Sequence, residues 1–284
     1  MTPFRDDRLD LDAFGHFVEW QLSEGTQGVV PVGTTGETPT VSHQEHHALV
    51  EAAVRIVAGR APVIAGAGSN STAEAIELTR FAEKAGADGI LSTVPYYNKP
   101  NQAGIFEHFR RIAEATALPV VLYTVPGRTV VDIDVETVCR LRDACPNIVG
   151  VKDATGDMEK VSFERLLLDE DFALLSGDDT SALGFNAYGG DGAISVTSNV
   201  APRLCAQMQA ACAAGEFALA LQIERKLTRL HKSLFVEPNP AGVKYAASRL
   251  GLMRNELRSP LVPVSQATAA LIDAAMEAAG LTTV

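Results

Sequence analysis

Short apolar runs rich in valine and isoleucine alternate with longer amphipathic stretches over most of this chain. This alternation constrains the fold more than any other feature, because repeated strand–helix units build a parallel sheet with helices on its faces. The strands of such a sheet are buried on both sides and therefore read as nearly continuous apolar runs. The pattern predicts strands at residues 28–33, 62–68, 88–94, 119–125, 148–153, 172–178 and 191–197.

The helices between these strands begin at recognisable N-caps. Ser42 precedes one helical stretch with Glu45 three residues later, and Ser71 precedes another with Glu74 in the same relation. This spacing is typical of a capping box, in which the two side chains satisfy backbone N–H groups at the start of the helix. The direction of these strand–helix units is therefore defined.

After residue 200 the pattern is helical to the end of the chain, with proline-containing breaks at 238–240 and 260–263. We expect residues 1–200 to hold the strands and helices of a barrel. Residues 201–284 would supply its last helix and a helical C-terminal extension, packed with the barrel as one unit.

Composition argues against several classes of function. The 284 residues are 46% hydrophobic and 21% charged, which suits one large domain. The net charge of −11 opposes a nucleic-acid partner, because phosphate contacts need a basic surface. No apolar run approaches the roughly 20 residues of a membrane helix and no signal peptide is visible, so we expect a cytoplasmic protein. The four cysteines include no C-x-x-C pair, which favours reduced thiols over a zinc site or a disulfide framework.

Lys152 is the first candidate for chemistry. It lies in the apolar run IVGVKDATG, where alternation places Val149 and Val151 on one side of the strand and Gly150 and Lys152 on the other. We expect the side of Lys152 to face the interior of a barrel. A buried lysine loses part of its preference for the proton, so its free amine can attack a keto carbon near neutral pH. The alternative is a lysine at a strand end that extends its amine to solvent.

Tyr123 and Arg128 belong to the preceding strand and the loop after it. A phenol at the carboxyl end of a barrel strand can move protons to and from a carbinolamine or imine, although an aromatic residue there can also serve packing alone. An arginine in that loop can hold a carboxylate through two parallel hydrogen bonds, whereas most loop arginines are only solvated.

The segment Gly33-Thr34-Thr35-Gly36-Glu37 ends a predicted strand in a turn of small residues. Its backbone N–H groups and two hydroxyls could hold a small carboxylate, although ordinary strand–helix turns have similar composition. Equivalent strand ends carry Gly177 with Asp178, and Ile194, and a glycine there lets a substrate approach the backbone.

The three histidines of HQEHH invite a metal-binding interpretation, which the spacing does not favour. A zinc-protease helix needs H-E-x-x-H, but Gln44 follows His43 and the next histidine comes three residues later. We therefore expect no metal site.

Five segments, GTTGE, YYNKP, LYTVPGRT, VGVKDATG and FVEPNPAGVK, occur in this order. Together they resemble the dihydrodipicolinate synthase and N-acetylneuraminate lyase superfamily, most closely its synthase branch, over nearly the whole chain from Thr2. The resemblance implies an α/β fold, a (β/α)8 TIM barrel with a helical C-terminal extension. It also implies a class I lyase of lysine and diaminopimelate synthesis, which condenses pyruvate with L-aspartate semialdehyde through a lysine Schiff base to 4-hydroxy-tetrahydrodipicolinate. No metal and no organic cofactor are implied.

The same motifs imply catalytic roles for four residues. Lys152 would form the Schiff base with pyruvate, and Tyr123 would exchange protons with it. Thr34 would link Tyr123 to Tyr97 in a hydroxyl relay, with Tyr97 supplied by a neighbouring subunit. Such a relay suits a site whose matched motifs contain no histidine.

The resemblance also implies how the substrates are held. Thr35 and the adjacent backbone would bind the pyruvate carboxylate, and Arg128 would meet the carboxylate of the semialdehyde, with Gly177 and Ile194 as further substrate-binding positions. Members of the family are usually homotetramers built as dimers of dimers, so we expect a homo-oligomer.

A feedback site for L-lysine is implied at the dimer interface, where hydrogen-bonding side chains would hold the zwitterion. A polar surface at the starts of helices is the alternative. The residues of this predicted pocket are Thr38, Pro39, His43, His46, Asn70, Glu74 and Tyr96.

The start of the chain departs from the family pattern. The family opens with a strand that ends in a V-T-P-F-like sequence, and here Met1 directly precedes Thr2. A closed barrel needs eight strands, and MTPFRDDRLD is too short, charged and proline-containing to be one. We expect that barrel strand one is missing, and that a GTG valine codon was assigned as the start.

Three alternatives stay open. A different pyruvate-dependent aldolase, acting on sialic acid or a keto-sugar acid, is disfavoured by Arg128 in P-G-R-T and by the tyrosine pair. A noncatalytic amino-acid sensor would not need the four residues Lys152, Tyr123, Thr34 and Tyr97. A phosphate-binding isomerase would need a phosphate site that GGDGAISVTSNV does not offer.

Overall fold

A computed structural model describes residues 1–282. The strands are β1 Phe4–Arg5, β2 Arg8–Leu9, β3 Ile64–Gly66, β4 Gly89–Thr93, β5 Val120–Thr124, β6 Ile148–Asp153, β7 Ala173–Ser176 and β8 Gly192–Ala193. The helices are α1 Leu11–Ser23, α2 His43–Val57, α3 Thr72–Ala85, α4 Gln102–Ala113, α5 Pro126–Thr129, α6 Val135–Ala144, α7 Met158–Leu167, α8 Ala182–Ala187, α9 Pro202–Ala213, α10 Phe217–Ser233, α11 Ala241–Arg249 and α12 Gln266–Ala278. Short 3-10 helices occupy Thr34–Gly36, Thr38–Thr40 and Thr197–Asn199.

The chain divides into two compact units. The first unit combines Met1–Ala61 with the chain from Ser195 onward, and the second unit is Pro62–Ile194. The division predicted at residue 200 stays a prediction. No helix within residues 1–282 is both long enough and apolar enough to span a membrane.

The second unit is built around a parallel sheet of six strands in the order β3-β4-β5-β6-β7-β8. Each strand pairs with its neighbour in sequence, as expected when every crossover contains a helix. The central strands are buried: every residue of β5 is buried, and in β6 only Val149 is partly exposed. All six strands point the same way, so their carboxyl ends form one edge of the sheet.

The sequence located these six strands well, with the structure trimming one to four residues from most predicted ends and none from 148–153. The predicted strand at 28–33 is wrong. Within it only Val29 makes a bridge, and a turn begins at Pro31. The reason is local: the φ of Val32 is 49°, in the left-handed region, which ends an extended strand.

The first unit is largely helical. Apolar side chains of α1, α10, α11 and α12 form its core, including Phe17, Leu227, Leu230, Val243, Ile272 and Met276. Helix α2 begins with the predicted capping box: the Ser42 hydroxyl accepts from the N–H of Glu45, and the Glu45 carboxylate accepts from the N–H of Ser42. In the second unit the Ser71 hydroxyl caps α3 in the same way, accepting from the N–H of Glu74.

A buried ionic cluster lies on the outer side of β5 and β6 in the second unit. Lys160 Nζ contacts a carboxylate oxygen of Asp132 and one of Asp153, each at 3.0 Å. The Thr124 hydroxyl donates to Asp132. Thr124 and Asp153 are the last residues of β5 and β6, so the cluster ties both strand ends to α7.

Glu164 lies one helical turn beyond Lys160 and is fully buried. Neither of its carboxylate oxygens accepts a hydrogen bond from residues 1–282. Burial raises the pKa of Glu164 from 4.5 to about 8, with Asp153 and Asp132 adding repulsion and Lys160 opposing both. The carboxyl is therefore neutral in the folded protein at pH 7.

This neutral carboxyl predicts a loss of stability as the pH rises. Between pH 4.5 and about 8 the unfolded chain releases the Glu164 proton and the native protein keeps it, so stability falls with a slope of up to about 1.4 kcal/mol per pH unit. Glu164→Gln should remove that contribution. The melting temperature of the variant should therefore fall less between pH 5 and pH 8 than that of the wild type. Glu159→Gln, at an exposed carboxyl of the same helix, is the control. Identical pH profiles for Glu164→Gln and the wild type would contradict the assignment.

Candidate active site

Lys152 and Tyr123 lie side by side at the carboxyl ends of β6 and β5. The strand register pairs them directly. Both residues are buried, at 9% and 7% exposure, and Lys152 Nζ lies 4.1 Å from the centroid of the Tyr123 ring. The structure therefore brings together the predicted amine and the predicted phenol, because adjacent parallel strands place equivalent positions next to each other.

Burial lowers the pKa of Lys152 from 10.5 to about 8, since removal from water disfavours the charged ammonium. The carboxylate of Asp179 raises this pKa, and the guanidinium of Arg128 lowers it. Asp179 is itself buried, whereas Arg128 is exposed in the short helix α5. About one-tenth of the Lys152 amine is unprotonated at pH 7 with such a pKa, so the amine can act as a nucleophile.

Gly177 follows β7 and leaves room for the lysine side chain. A Cβ atom at this position would lie 3.0 Å from Lys152 Cε and 2.8 Å from Ala154 Cβ. Ile194 follows β8, and its N–H donates to the carbonyl of Ser176 at 2.9 Å. Gly177 therefore belongs to the immediate surroundings of the amine, and Ile194 continues the same edge of the sheet.

The GTTGE segment in the first unit forms a tight turn. Thr34 and Thr35 are half-buried in the 3-10 helix Thr34–Gly36. The Thr35 hydroxyl accepts a hydrogen bond of 3.0 Å from the side-chain amide of Asn239. The turn predicted from the small residues is therefore formed, with two threonine side chains on it.

Tyr97 projects from the second unit with 89% of its surface exposed. Its φ is 70°, in the left-handed region, so the backbone turns at this residue. Tyr96 is 38% exposed. The Asn98 side chain donates to the Asn70 carbonyl at 2.9 Å, which ties this tyrosine pair to the start of α3.

The residues of the predicted lysine pocket fall in both units. In the second unit, the Glu74 carboxylate accepts from the Ser69 hydroxyl, and the Asn70 carbonyl accepts from the Asn98 side chain next to the tyrosine pair. In the first unit, the Thr38 hydroxyl donates to the Gly33 carbonyl at 2.8 Å. Exposed Pro39 and His43 lie near buried His46 along the chain. Among residues 1–282, no group of three or more His, Cys, Asp or Glu side chains could hold a metal ion.

Comparison with known proteins assigns the chain to a family. Residues 1–279 match the model of the dihydrodipicolinate synthetase family. The chain belongs to this family. The 4-hydroxy-tetrahydrodipicolinate synthase of Brucella suis biovar 1 (strain 1330) is 58% identical over 282 residues, which cover 99% of this chain and 96% of the relative. The family predicted from the five motifs, and with it a class I lyase, is confirmed.

Solved structures of dihydrodipicolinate synthases superpose closely on this member of the dihydrodipicolinate synthetase family. The Aquifex aeolicus protein is 41% identical with a TM-score of 0.98, over 100% of this chain and 97% of the other. The chloride-inhibited Acinetobacter baumannii protein complexed with pyruvate is 42% identical with a TM-score of 0.97, over 99% and 97%. The Cyanidioschyzon merolae protein with lysine bound is 39% identical with a TM-score of 0.96, over 99% and 96%. The predicted α/β barrel fold is confirmed.

Two residues that act on candidate side chains of this family member were not predicted from the sequence. Asp179 is the buried carboxylate whose charge raises the pKa of Lys152, and the doubled acid in LLSGDD was its signal. Asn239 donates to Thr35 from a position 204 residues away in the chain. Its motif, FVEPNPAGVK, carried part of the resemblance but received no role.

We expect Asp179→Asn to lower the pKa of Lys152 further, by on the order of one unit, because it removes the carboxylate that stabilises the ammonium. The pH midpoint of reductive trapping of pyruvate by the enzyme should then move below about 8. Asp171→Asn, at an exposed acid nearby in sequence, should leave the midpoint in place. A midpoint that moves upward in Asp179→Asn would show that the carboxylate acts in some other way.

Proposed function

We propose that this chain is a 4-hydroxy-tetrahydrodipicolinate synthase that condenses pyruvate with L-aspartate semialdehyde. The observation that carries the proposal is the buried Lys152 amine beside Tyr123, with a pKa lowered to about 8. Membership of the dihydrodipicolinate synthetase family supports the same reaction. The Acinetobacter baumannii relative complexed with pyruvate supports pyruvate as the keto substrate.

The reaction begins when the Lys152 amine attacks the keto carbon of pyruvate. The carbinolamine loses water to give an imine, whose positive charge withdraws electrons and allows the methyl carbon to lose a proton. The resulting enamine carbon forms a bond to the aldehyde carbon of the semialdehyde, and the aldehyde oxygen takes up a proton. The amino group of the semialdehyde then displaces Lys152 from the imine carbon and closes the ring.

Tyr123 is the proposed proton donor and acceptor in these steps, since its ring lies against Lys152 Nζ. We assign Thr34 as the link between Tyr123 and Tyr97 in a hydroxyl relay. Thr35 would bind the pyruvate carboxylate, and the exposed Arg128 the carboxylate of the semialdehyde. Gly177 and Ile194 would complete the substrate site.

The proposed assembly is a homotetramer, a dimer of dimers. In it Tyr97 enters the active site of a neighbouring subunit, and its 89% exposure in the isolated chain supports this role. A large aromatic side chain held outward on a left-handed residue is suited to an interface. Cys139, Cys145, Cys205 and Cys212 are not in disulfide bonds, which supports a cytoplasmic location, where thiols stay reduced.

Reductive trapping tests the Schiff-base step. Incubation with pyruvate and borohydride should add one reduced pyruvyl group to the wild-type protein, as measured by intact mass. Lys152→Ala should lose the adduct completely, because the substitution removes the amine that forms the imine. Lys226→Ala, at an exposed lysine, should keep it.

The second substrate separates the remaining alternatives. An enzyme that forms the pyruvate adduct should also consume L-aspartate semialdehyde. A sialic acid or keto-sugar-acid lyase would act on a sugar aldehyde instead. A folded wild-type protein that forms no adduct would favour the noncatalytic amino-acid sensor.

L-Lysine is the proposed feedback inhibitor, bound by Thr38, Pro39, His43, His46, Asn70, Glu74 and Tyr96. The relative with lysine bound supports it. Millimolar L-lysine should slow the wild-type enzyme, and Glu74→Gln should weaken inhibition roughly tenfold or more because it removes the carboxylate that pairs with an ammonium group. Glu77→Gln, exposed on the same helix, should be inhibited like the wild type. A wild-type rate unchanged by lysine would end this assignment.

A further inference from the structure

The segment FVEPNPAGVK has no part in the proposed chemistry, yet two of its side chains contact the GTTGE turn within the first unit. Lys244 forms a buried ion pair with Glu37, and Asn239 donates to the Thr35 hydroxyl. Both contacts join residues more than 200 positions apart in sequence. The segment therefore holds the turn on which Thr34 and Thr35 lie.

The turn needs such support because its backbone is unusual. Val32 and Glu37, on either side of the threonines, have φ angles of 49° and 58°. Residues other than glycine rarely adopt this left-handed region. Strained backbone of this kind persists only where surrounding contacts over-determine it. The Thr2 hydroxyl donates to the Gly36 carbonyl at 2.6 Å and supplies one such contact.

Lys244 and Glu37 anchor the far end of the turn. The Lys244 side chain is fully buried and its ammonium also donates to the Glu256 carbonyl at 2.8 Å. The second Glu37 oxygen accepts from the N–H of Arg258 at 3.1 Å. Both charges are therefore paired and hydrogen-bonded, which is the condition for a buried ion pair to be tolerated.

Asn239 acts at the other end of the turn, on the hydroxyl itself. A hydroxyl has one proton to donate and two lone pairs that accept. The Asn239 amide, 5% exposed, occupies a lone pair of Thr35 Oγ1 at 3.0 Å. Among residues 1–282, no hydrogen bond has the Thr35 hydroxyl as its donor, so its proton is available to a ligand.

We propose that Asn239 is a positioning residue for substrate, because its amide fixes the Thr35 hydroxyl as a donor to the pyruvate carboxylate. A carboxylate only accepts hydrogen bonds, so a hydroxyl turned to donate recognises it and one turned to accept repels it. This inference rests on the proposed function. It gives the C-terminal segment a part in the affinity for pyruvate, separate from the chemistry at Lys152.

The test is a double-mutant cycle between Asn239→Ala and Thr35→Val, read as the pyruvate concentration that half-saturates borohydride trapping on Lys152 and as KM and kcat. Asn239→Ala should raise the half-saturating pyruvate concentration and the KM for pyruvate about tenfold, the size expected for an orienting hydrogen bond. The kcat should change much less, because the proposed hydrogen bond is to the carboxylate of pyruvate and not to its reacting carbon. The two changes together should be no worse than Thr35→Val alone.

Asn239→Asp sharpens the test. An aspartate would accept a hydrogen bond from the Thr35 hydroxyl, which could then no longer donate to pyruvate. It would also bring a negative charge towards an anion, so it should weaken pyruvate binding more than Asn239→Ala does. Gln207→Glu is the matched control, since it also turns an amide into a carboxylate in the same unit, at an exposed position of α9, and it should leave KM for pyruvate unchanged. Thermal unfolding of each variant identifies any that fail to fold. If Asn239→Asp does not fold, the Asn239→Ala cycle decides, and if Asn239→Ala does not fold, the comparison of Asn239→Asp with its control decides.

Different failures lead to different conclusions. If the wild-type protein forms no pyruvate adduct, the proposed function is wrong and this inference is wrong with it. If the wild type forms the adduct and Asn239→Ala binds pyruvate equally well, the inference alone is overturned. Full additivity of the two substitutions would also overturn it, because Asn239 would then act through something other than Thr35.

Discussion

An amine removed from water gives up its proton more easily, and the proposed chemistry depends on that effect at Lys152. The side chain is buried at the carboxyl end of β6 beside the Tyr123 ring, and burial lowers its pKa to about 8. Asp179 limits the fall by stabilising the ammonium. A lysine exposed at the same strand end would be almost fully protonated near neutral pH, so much less free amine would be present to attack a keto carbon.

The geometry of parallel strands places an anchor directly behind this site. Successive residues of a strand point to opposite faces, so Lys152 and Tyr123 lie on one face and Asp153 and Thr124 on the other. The outer pair is bound to α7 through Lys160 and Asp132. Because Asp153 follows Lys152 and Thr124 follows Tyr123 in the chain, the contacts of this cluster also restrain the strand ends that carry the reactive side chains.

The GTTGE turn is held in a different way, by contacts from distant parts of the chain. Its left-handed residues, Val32 and Glu37, are unfavourable locally, and the contacts of Lys244 and Asn239 compensate for them. The C-terminal helical region, which the sequence predicts to be an extension packed with the barrel, thus takes part in shaping the proposed carboxylate site. Substitutions in FVEPNPAGVK are expected to act on substrate affinity as well as on stability.

The sequence by itself determined the positions of the six strands, the caps of α2 and α3, and Lys152 and Tyr123 as candidates on consecutive strands, because these follow from periodicity and local hydrogen bonding. The five motifs determined the family. Only the tertiary structure decided that 28–33 turns at Val32, that Asp179 acts on Lys152, and that Asn239 donates to Thr35. These features depend on burial and on contacts between residues far apart in the chain, which no local pattern records.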